Sequence, residues 1–263
     1  MTIYLMTLFF VIGLVFGSFF NVIGLRLPKN KSFFCGRSCC FSCERTLLWY
    51  ELIPLISFLI QGGRCRRCYE KISYIYPFSE LMTGCLFLMS YVVIGMEAEL
   101  FIAILFVSMS MIIFVSDLHY MLIPNKILLF FLPLFIIVRL VYPLTPWWTT
   151  IIGALIGFVL VAVIILASRG GMGAGDMKLL AILGIVLGVE KVLLTFLLAC
   201  FGGALIGIIL LGFGQIKQRQ PIPFAPFILL ASMIAYFYGD WIIPWYLSFF
   251  GFIDLSFYSS IGK

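Results

Sequence analysis

The stretch Trp148–Glu190, WTTIIGALIGFVLVAVIILASRGGMGAGDMKLLAILGIVLGVE, decides the architecture. Residues 148–168 are almost continuously apolar or small. At about 1.5 Å per helical residue they suffice to cross about 30 Å of hydrocarbon. A glycine-rich turn follows, then Asp176 and Lys178, and the apolar chain resumes through residue 190. An ionisable residue between two such segments is costly at membrane depth and is usually functional. The glycines before Asp176 permit backbone conformations closed to other residues and allow another chain to approach closely.

The same pattern recurs along the 263 residues. Apolar residues make up 63% and charged residues 11%, against about 45–50% and about 25% in soluble domains. Further apolar runs lie at 4–25, 77–95, 100–116, 126–143, 192–213 and 224–243. With 148–168 and 178–190 they predict an all-α polytopic membrane protein of about eight transmembrane helices. A β-barrel would show short alternating segments instead. The first run has no basic residue before it and no clear small-residue cleavage site, so it reads as a retained span and not a signal peptide. The net charge of +6 sets orientation in such a chain and implies no nucleic-acid partner.

Alternation of the eight spans puts segments 26–76, 117–126, 169–178 and 214–223 on one side. That side holds all of the seventeen Lys and Arg residues except Arg139, Lys191 and Lys263. The positive-inside rule makes it cytoplasmic and the N-terminus external. Asp117, in Val-Ser-Asp-Leu-His-Tyr, and Asp176 then both fall at the cytoplasmic edge. The tail after Asp240 is aromatic and broken by Pro244 and Gly251, which suits an outer-interface or re-entrant segment.

The first cytoplasmic loop carries Cys40-x-x-Cys43 and Cys65-x-x-Cys68, 21 residues apart. Two residues between cysteines let both thiolates reach one tetrahedral ion, and this array is close to that of four-cysteine zinc ribbons. Cytoplasmic thiols stay reduced, which favours metal over disulfide. Four protein ligands leave no place for a catalytic water, so the expected zinc is structural. Free thiols are the plainer alternative. Cys39 could compete with Cys40, and Cys35 stands nearby. Between the pairs, residues 47–59 are apolar and aromatic. They read as a segment lying on the membrane or as a buried hairpin of the zinc domain.

For Asp176 the plain alternative is a helix cap accepting a backbone N–H. For Asp117 it is a charge marking the end of a span. A pair offers more. Two carboxylates held close do not both ionise readily, so one keeps a proton. The ionised member can take a proton from an attacking water, and the protonated member can polarise a carbonyl and protonate the leaving amine. His119, the single histidine, lies two residues after Asp117. Glu80 is a third candidate acid, and Glu51 lies in the loop.

Ordered motifs extend this reading. They are Gly17-Ser18-Phe19-Phe20-Asn21-Val22, Arg26-Leu27-Pro28, the cysteine array enclosing Trp49-Tyr50-Glu51-Leu52-Ile53-Pro54, and Ile72-Ser73-Tyr74-Ile75-Tyr76-Pro77. Asp117-Leu118 with Leu122-Ile123-Pro124-Asn125, Met172 to Leu179, and Pro223-Phe224-Ala225-Pro226 follow. The series, over about residues 10–235, resembles the bacterial type IV prepilin peptidases, membrane aspartyl proteases of the GxGD class. Ala225 stands where that family usually has glycine, and Phe41 where proline is common.

The resemblance implies an endopeptidase cutting the basic leader from pilin-like precursors at the cytoplasmic face of the bacterial inner (plasma) membrane. It implies Asp117 and Asp176 as the catalytic dyad, and Cys40, Cys43, Cys65 and Cys68 as ligands of structural Zn2+. Many members also methylate the new N-terminus with S-adenosylmethionine. No glycine-rich nucleotide signature in the loop marks a site for that cofactor. The implied organisation is a first helix at 1–25, a four-cysteine loop domain at 26–76, a membrane-embedded protease core at 77–243 and a tail at 244–263. Partners are the precursors and membrane lipid. Rival readings are a preflagellin or signal-peptide peptidase, and a non-enzymatic assembly or transport protein whose aspartates bind cations or protons.

Overall fold

Small residues set how the long helices pack, because lipid supplies no hydrophobic drive between helices and close backbone approach must do so. The computed structural model describes residues 2–30, 38–40, 42–168, 172–214 and 223–249. Its α-helices are α1 (Thr2–Arg26), the short α2 (Ile56–Ile60), α3 (Ile75–Ile94), α4 (Ala98–Tyr120), α5 (Asn125–Val141), α6 (Thr149–Ala167), α7 (Ala174–Gly212) and α8 (Ala225–Phe249). Among the described residues, strand pairing is confined to two isolated bridges in the cysteine loop. Among the described residues, six helices (α1, α3, α4, α6, α7 and α8) are long and apolar enough to cross a membrane. The protein is an all-helical, multi-pass membrane protein.

The chain divides into two compact units, Met1–Phe131 and Leu132–Lys263. In the first, α1 lies against α3 and α4. A Cβ added at Gly13 would come within 2.7 Å of the Gly84 Cα, and one at Gly17 within 2.9 Å of the Glu80 Cα. At Gly24 it would meet the Ile112 carbonyl at 2.9 Å. Buried Asn21 fastens the same contact: its Oδ1 accepts from Ser79 Oγ at 2.6 Å, and its amide donates to the Tyr76 carbonyl at 3.3 Å. α4 is the most buried of the long apolar helices, with Ile102, Phe106 and Ile113 fully buried. The Tyr120 hydroxyl donates to the Leu25 carbonyl and Lys126 Nζ to Asn30 Oδ1. The ends of α1 and α4 and the start of α5 are thereby gathered at one end of this unit.

In the second unit, α6 and the first part of α7 meet through Gly153, Gly157 and Gly184, where an added Cβ would collide with facing backbone. α7 has 39 residues. Unbroken, it would run about 58 Å, nearly twice a hydrocarbon core. Gly188 breaks it, with φ 76° and ψ −175°, a conformation side chains rarely allow. Buried Arg139, from α5, donates to the Val186 carbonyl beside the break at 2.6 Å. Past the break the helix packs on α8. Lys191 pairs with Asp240 at 2.8 Å, and Gly203 faces the rings of Phe224 and Phe227.

Several boundaries differ from the sequence expectation. α4 runs on past 116 to Tyr120 and α7 begins at Ala174 instead of 178, which takes Asp117 and Asp176 into helices. The division placed at Glu190-Lys191 falls at Gly188, because only glycine accepts that backbone. α8 continues through Pro244 to Phe249 instead of stopping near 243, since a proline removes one helical hydrogen bond without having to end the helix. Residues 250–263 of the expected tail lie outside the described residues.

Candidate functional site

The cysteine loop is built from two near-identical knuckles. In the first, the Cys40 N–H donates to the Arg45 carbonyl and the Glu44 N–H to the Cys40 carbonyl. In the second, Cys65 N–H donates to Glu70 and Tyr69 N–H to Cys65. The residue after each second cysteine is left-handed, Glu44 at φ 53° and Tyr69 at φ 58°. Each turn aims two sulfurs the same way. Sγ of Cys40 and Cys68 lie 3.7 Å apart, those of Cys43 and Cys65 3.9 Å apart, and all four lie within 4.8 Å of one another. A tetrahedral zinc with Zn–S of about 2.3 Å requires edges of about 3.8 Å. The donor set therefore fits one tetrahedral ion.

Electrostatics support the same fit. Backbone N–H groups of Cys68 and Arg67 draw the Cys65 thiol down to about 6. Those of Cys43 and Ser42 lower Cys40. Cys68 receives the Glu70 N–H, which lowers it, but desolvation and its neighbouring thiols outweigh that and push it up to about 12. Four thiols this close ionise together only around a cation. Cys39 is exposed, pairs through its backbone with Thr46 and stays out of the group. Cys35 lies outside the described residues.

Two buried glutamates fasten this loop. Glu51 accepts from Arg45 Nη2 at 2.6 Å and from the Leu48 N–H at 2.9 Å, tying the segment between the knuckles to the first knuckle. Glu80, in α3, accepts the Leu55 N–H at 2.9 Å. Glu80, a candidate acid by sequence, and Glu51 thus both have structural partners. His119 is exposed, its Nδ1 lies 3.1 Å from the Val115 carbonyl, and its ring leans on those of Tyr76 and Tyr120.

Asp117 sits in the last turn of α4 and is 5% exposed. It lies at the end of the first unit from which the cysteine loop springs. Asp176 sits in the first turn of α7 and is 8% exposed. Its Oδ2 accepts the Gly173 N–H at 3.3 Å while its own N–H donates to the Gly173 carbonyl at 3.1 Å. The capping role is real, yet at 3.3 Å it is a long bond. The two carboxylates belong to different compact units, each buried at a helix end beside a turn.

The sequence model described as the bacterial peptidase A24 N-terminal domain matches residues 11–94, and that of the type IV leader peptidase family matches residues 104–208. A Bacillus subtilis protein named prepilin leader peptidase/N-methyltransferase is 44% identical over 243 residues, covering 92% of this chain and 98% of its own. The chain belongs to the type IV leader peptidase family. Relatives of the same name from Aeromonas salmonicida and Pseudomonas aeruginosa are 34% and 31% identical. They cover 92% of this chain, and 94% and 93% of their own lengths. No solved structure matches.

Within this leader peptidase several polar and small residues serve the packing of the first unit. Gly17, Asn21, Ser79 and Glu80 are spent on packing α1 against α3 and on holding the loop. The four cysteine sulfurs converge, and the two aspartates are buried at helix ends. The fastening role of Glu80 had no local signal, since its partner is a backbone N–H 25 residues away. Ala225, where glycine is usual, is fully buried at the start of α8.

Proposed function

We propose that the chain is a prepilin leader peptidase whose catalytic groups are Asp117 and Asp176. The observation that carries this is the burial of both carboxylates at helix ends, in a chain whose relatives bear that name across almost their whole length. One aspartate takes a proton from water as it attacks the scissile carbonyl, and the other, protonated, polarises that carbonyl and then protonates the leaving amine. The substrate is a pilin-like precursor whose apolar helix stays in the bilayer while its basic leader emerges. The charge distribution supports a cytoplasmic active site and an external N-terminus. Zinc held by Cys40, Cys43, Cys65 and Cys68 supplies a rigid cross-link for the loop domain of residues 26–76, and 77–243 forms the protease core.

The test uses purified protein in lipid with a pilin-like precursor. Asp117→Asn and Asp176→Asn each reduce cleavage by at least about 10²–10⁴-fold, the span of general acid–base catalysis, while helical content and precursor binding persist. Normal cleavage by either variant overturns the dyad. The double name of the relatives favours methylation as a second activity. Mass spectrometry of the cleaved product with and without S-adenosylmethionine shows one added methyl group if this holds, and none if the chain is a peptidase alone.

A further inference from the structure

The segment between the knuckles is not the buried hairpin that its composition allowed. Trp49 is 77% exposed, Leu59 75% and Ile60 69%, and Tyr74, just before α3, is 78% exposed. So much apolar and aromatic surface on one short stretch marks an interaction face. Its depth says with what. Leu55 is held by Glu80, which lies five residues inside α3, about 8 Å along the axis from its start. Glu80 in turn packs on Gly17, nine residues before the end of α1, about 13 Å from it. Phe58 meets the ring of Tyr74 at 5.6 Å. The segment therefore lies alongside the ends of the apolar helices α1 and α3 and not beyond them. Arg64, Arg66 and Arg67 are exposed on the second knuckle, and Arg66 lies 5.3 Å over the Tyr50 ring. Basic groups thus border the aromatic face, the pairing that suits an anionic headgroup layer.

We propose that residues 49–60 insert into the headgroup region of the membrane, with Arg66 and Arg67 selecting anionic lipid. The anchor keeps the cysteine loop flat on the bilayer, beside the end of the first unit that bears Asp117. This proposal stands on the loop's own geometry and not on the peptidase reading. Trp and Tyr favour the interface for their amphipathic rings. Each arginine near an anionic surface is worth about a fivefold preference.

The experiment uses the full chain in vesicles of phosphatidylcholine, alone or mixed with phosphatidylglycerol. Both carry a trace of lipid with a diazirine in the headgroup region. After illumination, trypsin releases the fragment Thr46–Arg64, which is read by mass spectrometry. This fragment is expected to be labelled as strongly as fragments of α1, and more in the anionic vesicles. Trp49→Ser with Leu59→Ser and Ile60→Ser lowers its labelling severalfold, with helical content and elution unchanged. Arg66→Gln with Arg67→Gln removes the anionic preference. An unlabelled Thr46–Arg64 beside labelled α1 overturns the proposal, as does crosslinking of this face to a second copy of the chain. Equal labelling in both vesicles overturns the anionic selectivity.

Discussion

The carboxylate of Glu80, buried inside the membrane helix α3, accepts the backbone N–H of Leu55, in the loop between the two cysteine knuckles, at 2.9 Å. Leu55 itself is strained, at φ 58° and ψ −49°, so the loop is held against local preference by this contact. Glu80→Ala leaves that N–H without its acceptor, a loss of about 1–3 kcal/mol. Glu80→Gln keeps an acceptor oxygen and loses less. Hydrogen exchange of residues 45–72 checks this: protection falls in the alanine variant and is largely kept in the glutamine variant.

Glu51 makes the loop's stability depend on acid. Burial raises its carboxyl, but the Leu48 N–H and the Arg45 guanidinium overrule it, and the net shift is below the ordinary value of 4.5. A group lowered on folding contributes stability that is fully present above its unfolded value and is lost as pH falls through its folded value. Glu51→Gln should therefore melt lower than the parent at pH 7. The gap should close as both are titrated below the ordinary carboxylate range. Thermal melts of the two proteins across that range test the sign, and a gap that widens in acid contradicts it.

The sulfur geometry sets an expectation for metal content. Elemental analysis of reduced protein should give about one zinc per chain. Cys65→Ser should fall well below this, because it removes a corner of the tetrahedron. Cys39→Ser should match the parent. Chelation should expose the loop to proteases without unfolding the membrane helices, which share no ligand with it.

Packing between α6 and α7 predicts a sharp contrast between two glycines. Gly184 faces the Gly153 backbone with no room for a Cβ, whereas Gly212 has nothing within 4 Å of that position. Gly184→Ala should destabilise by about 1–3 kcal/mol or more, as overpacking does. Gly212→Ala should be neutral, or stabilising by up to about 1 kcal/mol, since alanine is the better helix former. Thermal unfolding in detergent distinguishes them.

The membrane class, the helix count and the cysteine array were legible because each rests on a local signal: run length, apolarity or a fixed spacing. Asp117 and Asp176 stood out for the same reason, as charges at the ends of apolar runs. The cap on Asp176 was also legible, since its partner is three residues away. The break at Gly188 was placed two residues late, because the charged pair Glu190-Lys191 masked a glycine that composition alone does not distinguish from its neighbours.

What the sequence by itself determined is therefore the apolar helical architecture and the family, and it marked Asp117, Asp176 and the four cysteines as candidates. Tertiary structure alone decided that the four sulfurs converge within 4.8 Å of one another, that Glu80 and Glu51 are fasteners, and that Trp49, Leu59 and Ile60 are exposed. These depend on pairs separated by many residues, such as Leu55 with Glu80 and Asn21 with Ser79. A backbone N–H offers the same chemistry at every position, and only packing selects which carboxylate receives it.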